Sequence, residues 1–199
     1  MQKHLPVIER AVSHGDSVAI VADGSRHTYR ELVARSAAVA QRLLDGRPNP
    51  AGLNRTQQAP ANQDRGEARV ALMVPAGADH VAGLWGIWRA GGVAVPLGLA
   101  ATPAELAHAL ADSGAVAILT TAAAADRLQP AAAGVGGEVI PVDEIAGPPD
   151  AGGLPVIDAG RRAMMLYTSG TTSKPKGVVH THATIRAQIE SLVDAWRWR

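Results

Sequence analysis

Three short apolar runs, Val70 to Val74, Gly92 to Leu97 and Val116 to Thr120, are separated by two stretches of helical spacing, Asp79 to Ala90 and Pro103 to Ser113. This β-α-β-α-β alternation constrains the fold more than any other feature. Strands that are apolar on both faces belong in a sheet covered on both sides, and helical connections of this length return the chain to a parallel neighbour. The expected class is α/β, a layered and mostly parallel sheet with flanking helices. Thr102-Pro103-Ala104-Glu105 offers an N-cap, a proline at the first helical position and a glutamate able to reach back to the cap, so the start of that helix is sharply marked.

Around this unit the chain divides by pattern. Residues 1–45 read as helix, hairpin and helix: a short helix to about Ser13, a strand from Ser17 to Val21, a turn at Asp23-Gly24, a return over Arg26 to Thr28, and a helix opened by a Thr28-to-Glu31 capping box. That helix carries Leu32, Ser36, Val39 and Leu43 on one face, with Val33, Ala40 and Leu44 beside them. Residues 46–66 lose all periodicity among Pro48, Pro50 and Pro60 and read as a loop or insertion. Residues 67–133 hold the α/β unit together with an alanine-rich helix, Ala122 to Ala133. Residues 134–160 are a Gly/Pro-rich loop region around a strand at Glu138 to Val142. Residues 161–199 read as strand, loop, strand and helix, the helix placing Ile185, Ile189, Leu192 and Trp196 on one face as a core helix would.

The composition excludes several classes. With 199 residues, 47% of them hydrophobic and 19% charged, the chain can bury a core of ordinary size and reads as soluble and globular. A net charge of +1 creates no field that would argue for nucleic acid or an anionic membrane. Cysteine is absent, which removes disulfides, thiolate nucleophiles and cysteine metal sites. No apolar run approaches the ~18 residues that span a bilayer. The first ten residues carry charges where a signal peptide needs an apolar core. The expected compartment is cytoplasmic, and Asn54-Arg55-Thr56 is a glycosylation sequon by coincidence only.

The chemistry concentrates at Tyr167 to Gly177, between the apolar runs Ala163 to Tyr167 and Gly177 to Thr181. Gly170 lets backbone N–H groups approach an anion, and Thr168, Ser169, Thr171, Thr172 and Ser173 add hydroxyl donors. Lys174 and Lys176 supply charge, Pro175 stiffens the loop between them, and Gly177 follows at the strand start. Such a loop suits a polyphosphate. It is not a Walker motif, because Pro175 stands five residues after Gly170 and no Gly-Lys-Ser/Thr triplet follows. No Gly-x-Gly-x-x-Gly fingerprint supports a dinucleotide site either.

This segment resembles the phosphate-binding signature of the adenylate-forming superfamily, which contains acyl-CoA synthetases, luciferases and the adenylation domains of peptide synthetases. His27-Thr28-Tyr29-Arg30-Glu31-Leu32 and Gly91-Gly92-Val93-Ala94-Val95-Pro96-Leu97 are similar to further acyl-CoA synthetase segments in the same order. With Ile185-Arg186-Ala187 and the Trp196-Arg197-Trp198 ending, the chain looks most similar to the malonyl-CoA synthetase branch. The resemblance implies an acid–thiol ligase: a carboxylic acid attacks the α-phosphorus of ATP to give an acyl-adenylate and pyrophosphate, and coenzyme A then displaces AMP. It implies that Thr168 to Gly177 bind ATP, with Lys176, Thr171 and Thr172 in direct contact, and that Mg2+ accompanies the nucleotide. Ser173 departs from the glycine usual there; were that position left-handed, serine would cost ~1 to 2 kcal/mol.

The resemblance also implies a protein of several hundred residues. The magnesium ligand, the ribose site, most of the acid pocket and the C-terminal domain with its catalytic lysine would then follow Arg199. The expectation is an N-terminal part of the large domain, with no catalytic residue identifiable in it and little turnover alone. The competing reading is a noncatalytic nucleotide-binding or interaction module completed by another polypeptide.

Other candidates have plainer explanations. His180 and His182 stand two apart at a strand end without a third metal ligand, as at an ordinary strand-to-helix junction. Trp85 and Trp88 fall with Val81 and Leu84 at core spacing rather than as a base-stacking platform. Arg197 and Arg199 fit a helix C-terminus better than a membrane anchor.

Overall fold

The structure, a computed structural model, describes residues 5–22, 24–45, 66–145, 153–168 and 175–197. Asp23 of the hairpin turn, nearly all of the 46–66 loop with Asn54, part of the 134–160 region, Ser169 to Lys174, Trp198 and Arg199 lie outside the described residues.

Helix α1 (Pro6–His14) precedes an antiparallel hairpin of β1 (Val18–Ala22) and β2 (Ser25–Thr28), which leads into α2 (Tyr29–Asp45). The expected capping box closes there: the Thr28 amide donates to the Glu31 carboxylate at 2.8 Å and the Glu31 amide to the Thr28 hydroxyl at 3.2 Å. The α/β unit follows as β3 (Arg69–Leu72), α3 (Ala78–Arg89), β4 (Val93–Pro96), α4 (Pro103–Ser113), β5 (Ala117–Thr120), α5 (Ala122–Ala133) and β6 (Glu138–Pro141). After a 3-10 turn at Val142–Glu144 come β7 (Arg162–Thr168), β8 (Lys176–Thr181) and α6 (His182–Trp196).

Six strands form the main sheet in the order β6-β5-β3-β4-β7-β8. The first five run parallel and β8 returns antiparallel beside β7. Side-chain alternation along β3 explains the layers. Val70, Leu72 and Val74 join a core under α2 and α3 with Val39, Leu43 and Ile87. Ala71 and Met73 enter a second core on the opposite face, under α4 and α5, with Leu106, Leu110, Ile118 and Leu128. Both faces are therefore buried, as the unbroken apolar runs predict.

Small residues set how closely α2 and α3 approach. Gly86 faces Val39 and Ser36, and just beyond it the buried Arg89 guanidinium donates to the Val33 carbonyl at 2.6 Å and the Ser36 hydroxyl at 2.7 Å. Burial pushes the Arg89 pKa down to about 10, so it stays charged at neutral pH. Trp88 is buried and its indole N–H donates to the Ala163 carbonyl at 2.8 Å, tying α3 to β7; Trp85 packs against the same cluster.

The start of α4 falls where the sequence puts it. Thr102 and Glu105 form a reciprocal cap, with the Thr102 amide donating to the Glu105 carboxylate at 2.8 Å and the Glu105 amide to the Thr102 hydroxyl at 3.3 Å. Thr102→Ala should cost about 1 kcal/mol, read as a lower urea midpoint with an unchanged slope. A midpoint equal to that of the parent chain would show the cap to be energetically idle.

One expectation is corrected. The helix from Thr181 was expected to be a core helix, but only His182 of α6 is buried, and Ile189 and Trp196 stand 47% and 58% exposed. Its apolar spacing is present, yet among the described residues little packs over it beyond Ile185, which reaches the cluster of Leu5, Ile8 and Trp88.

Candidate functional site

Because β7 runs parallel to β4, with Ala94 opposite Met164, its C-terminal end emerges beside the end of β4 and the turn into α4. Ligands of open parallel sheets bind at this carboxyl end. Strand β8 then pairs back along β7, Tyr167 opposite Gly177 and Thr168 opposite Lys176. Of the ten candidate residues, the structure thus places Thr168, Pro175, Lys176 and Gly177 together at this end of the hairpin. Thr168 and Lys176 are exposed and face each other in register, able to present a hydroxyl and an ammonium to one anion. Ser169, Gly170, Thr171, Thr172, Ser173 and Lys174 lie outside the described residues.

Gly177 lets the Met165 side chain pack close against β8. A Cβ there would meet the Met165 sulfur at 2.8 Å, with the Tyr167 ring at 3.5 Å behind it. Its place is therefore explained by hairpin packing as well as by any ligand.

Helix α4 holds both sides of the hairpin end. The Tyr167 hydroxyl donates to the Asp112 carboxylate at 2.7 Å, with the Ala109 carbonyl 3.2 Å away. Burial, then the Asp112 hydrogen bond and charge, push the Tyr167 phenol up to about 12, so it remains a protonated donor at any physiological pH. On the other strand, His108 Nε2–H donates to the Pro175 carbonyl at 3.0 Å, and the imidazole stands edge-on to the Tyr167 ring with centroids 6.2 Å apart. A depression of about 420 Å³ opens beside them, lined by Pro96, Leu97, Glu105, His108, Tyr167 and Pro175. Sequence reasoning missed His108 and Asp112. They stand 67 and 55 residues from their partners, and no local pattern marks them.

His180 and His182 do not converge on a shared ligand. His180 pairs across the hairpin with Met164, whereas His182 opens α6, buried edge-on against Trp88 with centroids 5.5 Å apart. Burial and then the Arg161 charge lower its pKa to about 4, which keeps the ring neutral near pH 7. Among the described residues, no group of three or more His, Cys, Asp or Glu side chains could hold a metal ion.

A family model described as AMP-binding enzyme matches residues 7–199. The chain belongs to this family. Among AMP-binding relatives, the human malonate-CoA ligase ACSF3, mitochondrial, is 34% identical over 199 residues, covering 97% of this chain and 33% of that protein. The malonate-CoA ligase of Arabidopsis thaliana is 32% identical over 197 residues, covering 92% of this chain and 32% of the relative. The crystal structure of apo MatB from Rhodopseudomonas palustris superposes with a TM-score of 0.77 at 27% identity, over 98% of this chain and 38% of that one. ATP-bound MatB from the same organism gives 0.74 at 28% identity, with the same coverage. The chain spans about a third of the length of the curated relatives it matches. The family and the MatB likeness bear out the expected fold class, and no described helix is long and apolar enough to cross a membrane.

Proposed function

We propose that this chain carries the nucleotide-phosphate grip of an ATP-dependent acyl-CoA synthetase, an acid–thiol ligase acting on malonate or another short or medium carboxylic acid. The carrying observation is that Thr168 and Lys176 stand in register at the carboxyl end of the parallel strands, on either side of the sequence segment that resembles the superfamily's phosphate-binding signature. The malonate-CoA ligase names of the relatives support the substrate class, and the ATP-bound MatB neighbour supports the nucleotide.

In this reading the acid's carboxylate attacks the α-phosphorus of ATP, an acyl-adenylate forms and pyrophosphate leaves, and the thiol of coenzyme A then displaces AMP. Residues Thr168 to Gly177 act by position and charge. Their donors hold the β- and γ-phosphates in line and offset the charge gathering on the departing pyrophosphate, with Lys176, Thr171 and Thr172 in direct contact. Mg2+ would accompany the nucleotide, and no described residue is assigned to it.

The chain in this reading is the N-terminal part of the large domain: 1–45, the 46–66 loop, the 67–133 unit, the 134–160 loop region and the 161–199 grip. It has little turnover without further protein to supply the acid and ribose sites and the C-terminal domain. Among the described residues, the exposure of Ile189 on α6 favours completion by further protein, whether covalently continuous or, in the second reading, a separate polypeptide that makes this chain a noncatalytic module. The reading includes no nucleic-acid partner and a cytoplasmic location, and subcellular fractionation tests the latter because the human relative is described as mitochondrial.

Titrating the folded chain with Mg-ATP in a calorimeter tests the grip. Lys176→Ala should weaken binding about tenfold, the scale of one charge-assisted contact, with an unchanged circular dichroism spectrum. Equal affinity in the variant would remove Lys176 from the site. No binding by the folded parent chain would deny the isolated chain a working phosphate grip.

A further inference from the structure

We propose that His108 is a positioning residue for Lys176: by donating to the Pro175 carbonyl, it fixes the peptide plane that sets the direction of the Lys176 amide and side chain. The proposal rests on the nucleotide reading for its effect on binding, although the geometry stands without it.

Pro175 has no N–H, so its carbonyl is its only backbone polar handle, and that oxygen shares one planar peptide with the Lys176 nitrogen. Holding the oxygen therefore orients the amide at the next residue. His108 Nε2 lies 3.0 Å from it, a normal hydrogen-bond length. The imidazole is itself held from the other strand, edge-on to a Tyr167 ring whose hydroxyl is bound by Asp112 of the same helix at 2.7 Å. His108 and Asp112 lie on one face of α4, at i and i+4, and the Ala109 backbone carbonyl also meets the Tyr167 hydroxyl, so a single rigid helix meets both strands where the candidate residues stand.

A packing role and a positioning role make opposite demands at residue 108. His108→Phe keeps an aromatic edge against Tyr167 and loses the donor; His108→Gln loses the ring and keeps an N–H near the position of Nε2. If His108 positions Lys176, the phenylalanine variant should bind Mg-ATP about three- to tenfold more weakly while the glutamine variant stays near the parent, the scale of one hydrogen bond. The Lys176 amide resonance, recorded without nucleotide, should move in His108→Phe and return toward the parent position in His108→Gln. Weaker binding in the glutamine variant with parent-like phenylalanine would overturn the proposal in favour of packing, as would a Lys176 amide indifferent to both changes. A parent chain that binds no Mg-ATP while its Lys176 amide still follows the donor would sink the nucleotide reading and leave the positioning role supported.

Discussion

A Gly86→Val variant is expected to lose about 3–4 kcal/mol of stability, a large part of the ~5–15 kcal/mol that holds a domain folded. A Cβ at this position would fall 2.4 Å from Val39 Cγ1, 2.5 Å from Val39 Cβ and 3.2 Å from the Ser36 carbonyl. Rotating the valine cannot relieve the clash, because its Cβ is itself too close, so α2 and α3 must separate. Separation also strains the bonds from Arg89 to Val33 and Ser36, leaving a buried guanidinium short of acceptors. Gly86→Ala should cost less, about 2 kcal/mol, since alanine regains about 1 kcal/mol of helix propensity. Urea unfolding of both variants checks the order; a valine variant as stable as the parent would mean that the helices can part without penalty.

The second large effect is a pH dependence at His182. Its pKa falls from the ordinary 6.5 to about 4 in the fold, chiefly by burial and secondarily by Arg161, with Glu67 opposing. Between these values the unfolded chain binds the proton that the folded chain refuses. Stability is therefore fully present above pH 6.5, falls as pH drops through that window, and bottoms out below about 4. The contribution is about 3 kcal/mol at full extent. His182→Gln should be insensitive to this term, so the difference in unfolding free energy between parent and variant should itself change between pH ~7 and ~4.5. A constant difference across that range would show that the buried ring accepts a proton as readily as a solvated one.

Much of the sheet was legible in the sequence because local signals agreed with burial. Helix α4 begins where Thr102-Pro103-Ala104-Glu105 puts it and spans the expected Pro103 to Ser113, and α5 spans the alanine-rich run from Ala122 to Ala133. Residues Val70 to Val74 announced a doubly covered strand because both of its faces are apolar, and β3 proved to be one. The antiparallel return of β8 was not specified, since neither pairing direction changes the local apolar pattern. Helix α6 misled because an amphipathic face reports that something should cover it, without saying whether that cover lies among the same residues. At the candidate site, the strand-loop-strand pattern was legible, and the hairpin brings Thr168, Pro175, Lys176 and Gly177 to one end. The support from α4 was not, because His108 and Asp112 reach their partners only after the intervening strands have folded between them.

That dependence has a kinetic side. Strand β3 shares a four-pair register with β4, built within one crossover, whereas β7 meets β4 at a single pair, Ala94 with Met164, across seventy residues of chain. Long loops must close before such a pairing gives any return, so the hairpin carrying Thr168 and Lys176 is expected to dock late in folding. By the same logic it should be first to leave when the native state opens in part, exchanging its backbone amides while β3, β4 and β5 remain protected. In the proposed nucleotide reading, the candidate grip would then sit on a late-docking portion of the sheet, and its residence in the docked state would set how much of the protein is ready for the ligand at any instant.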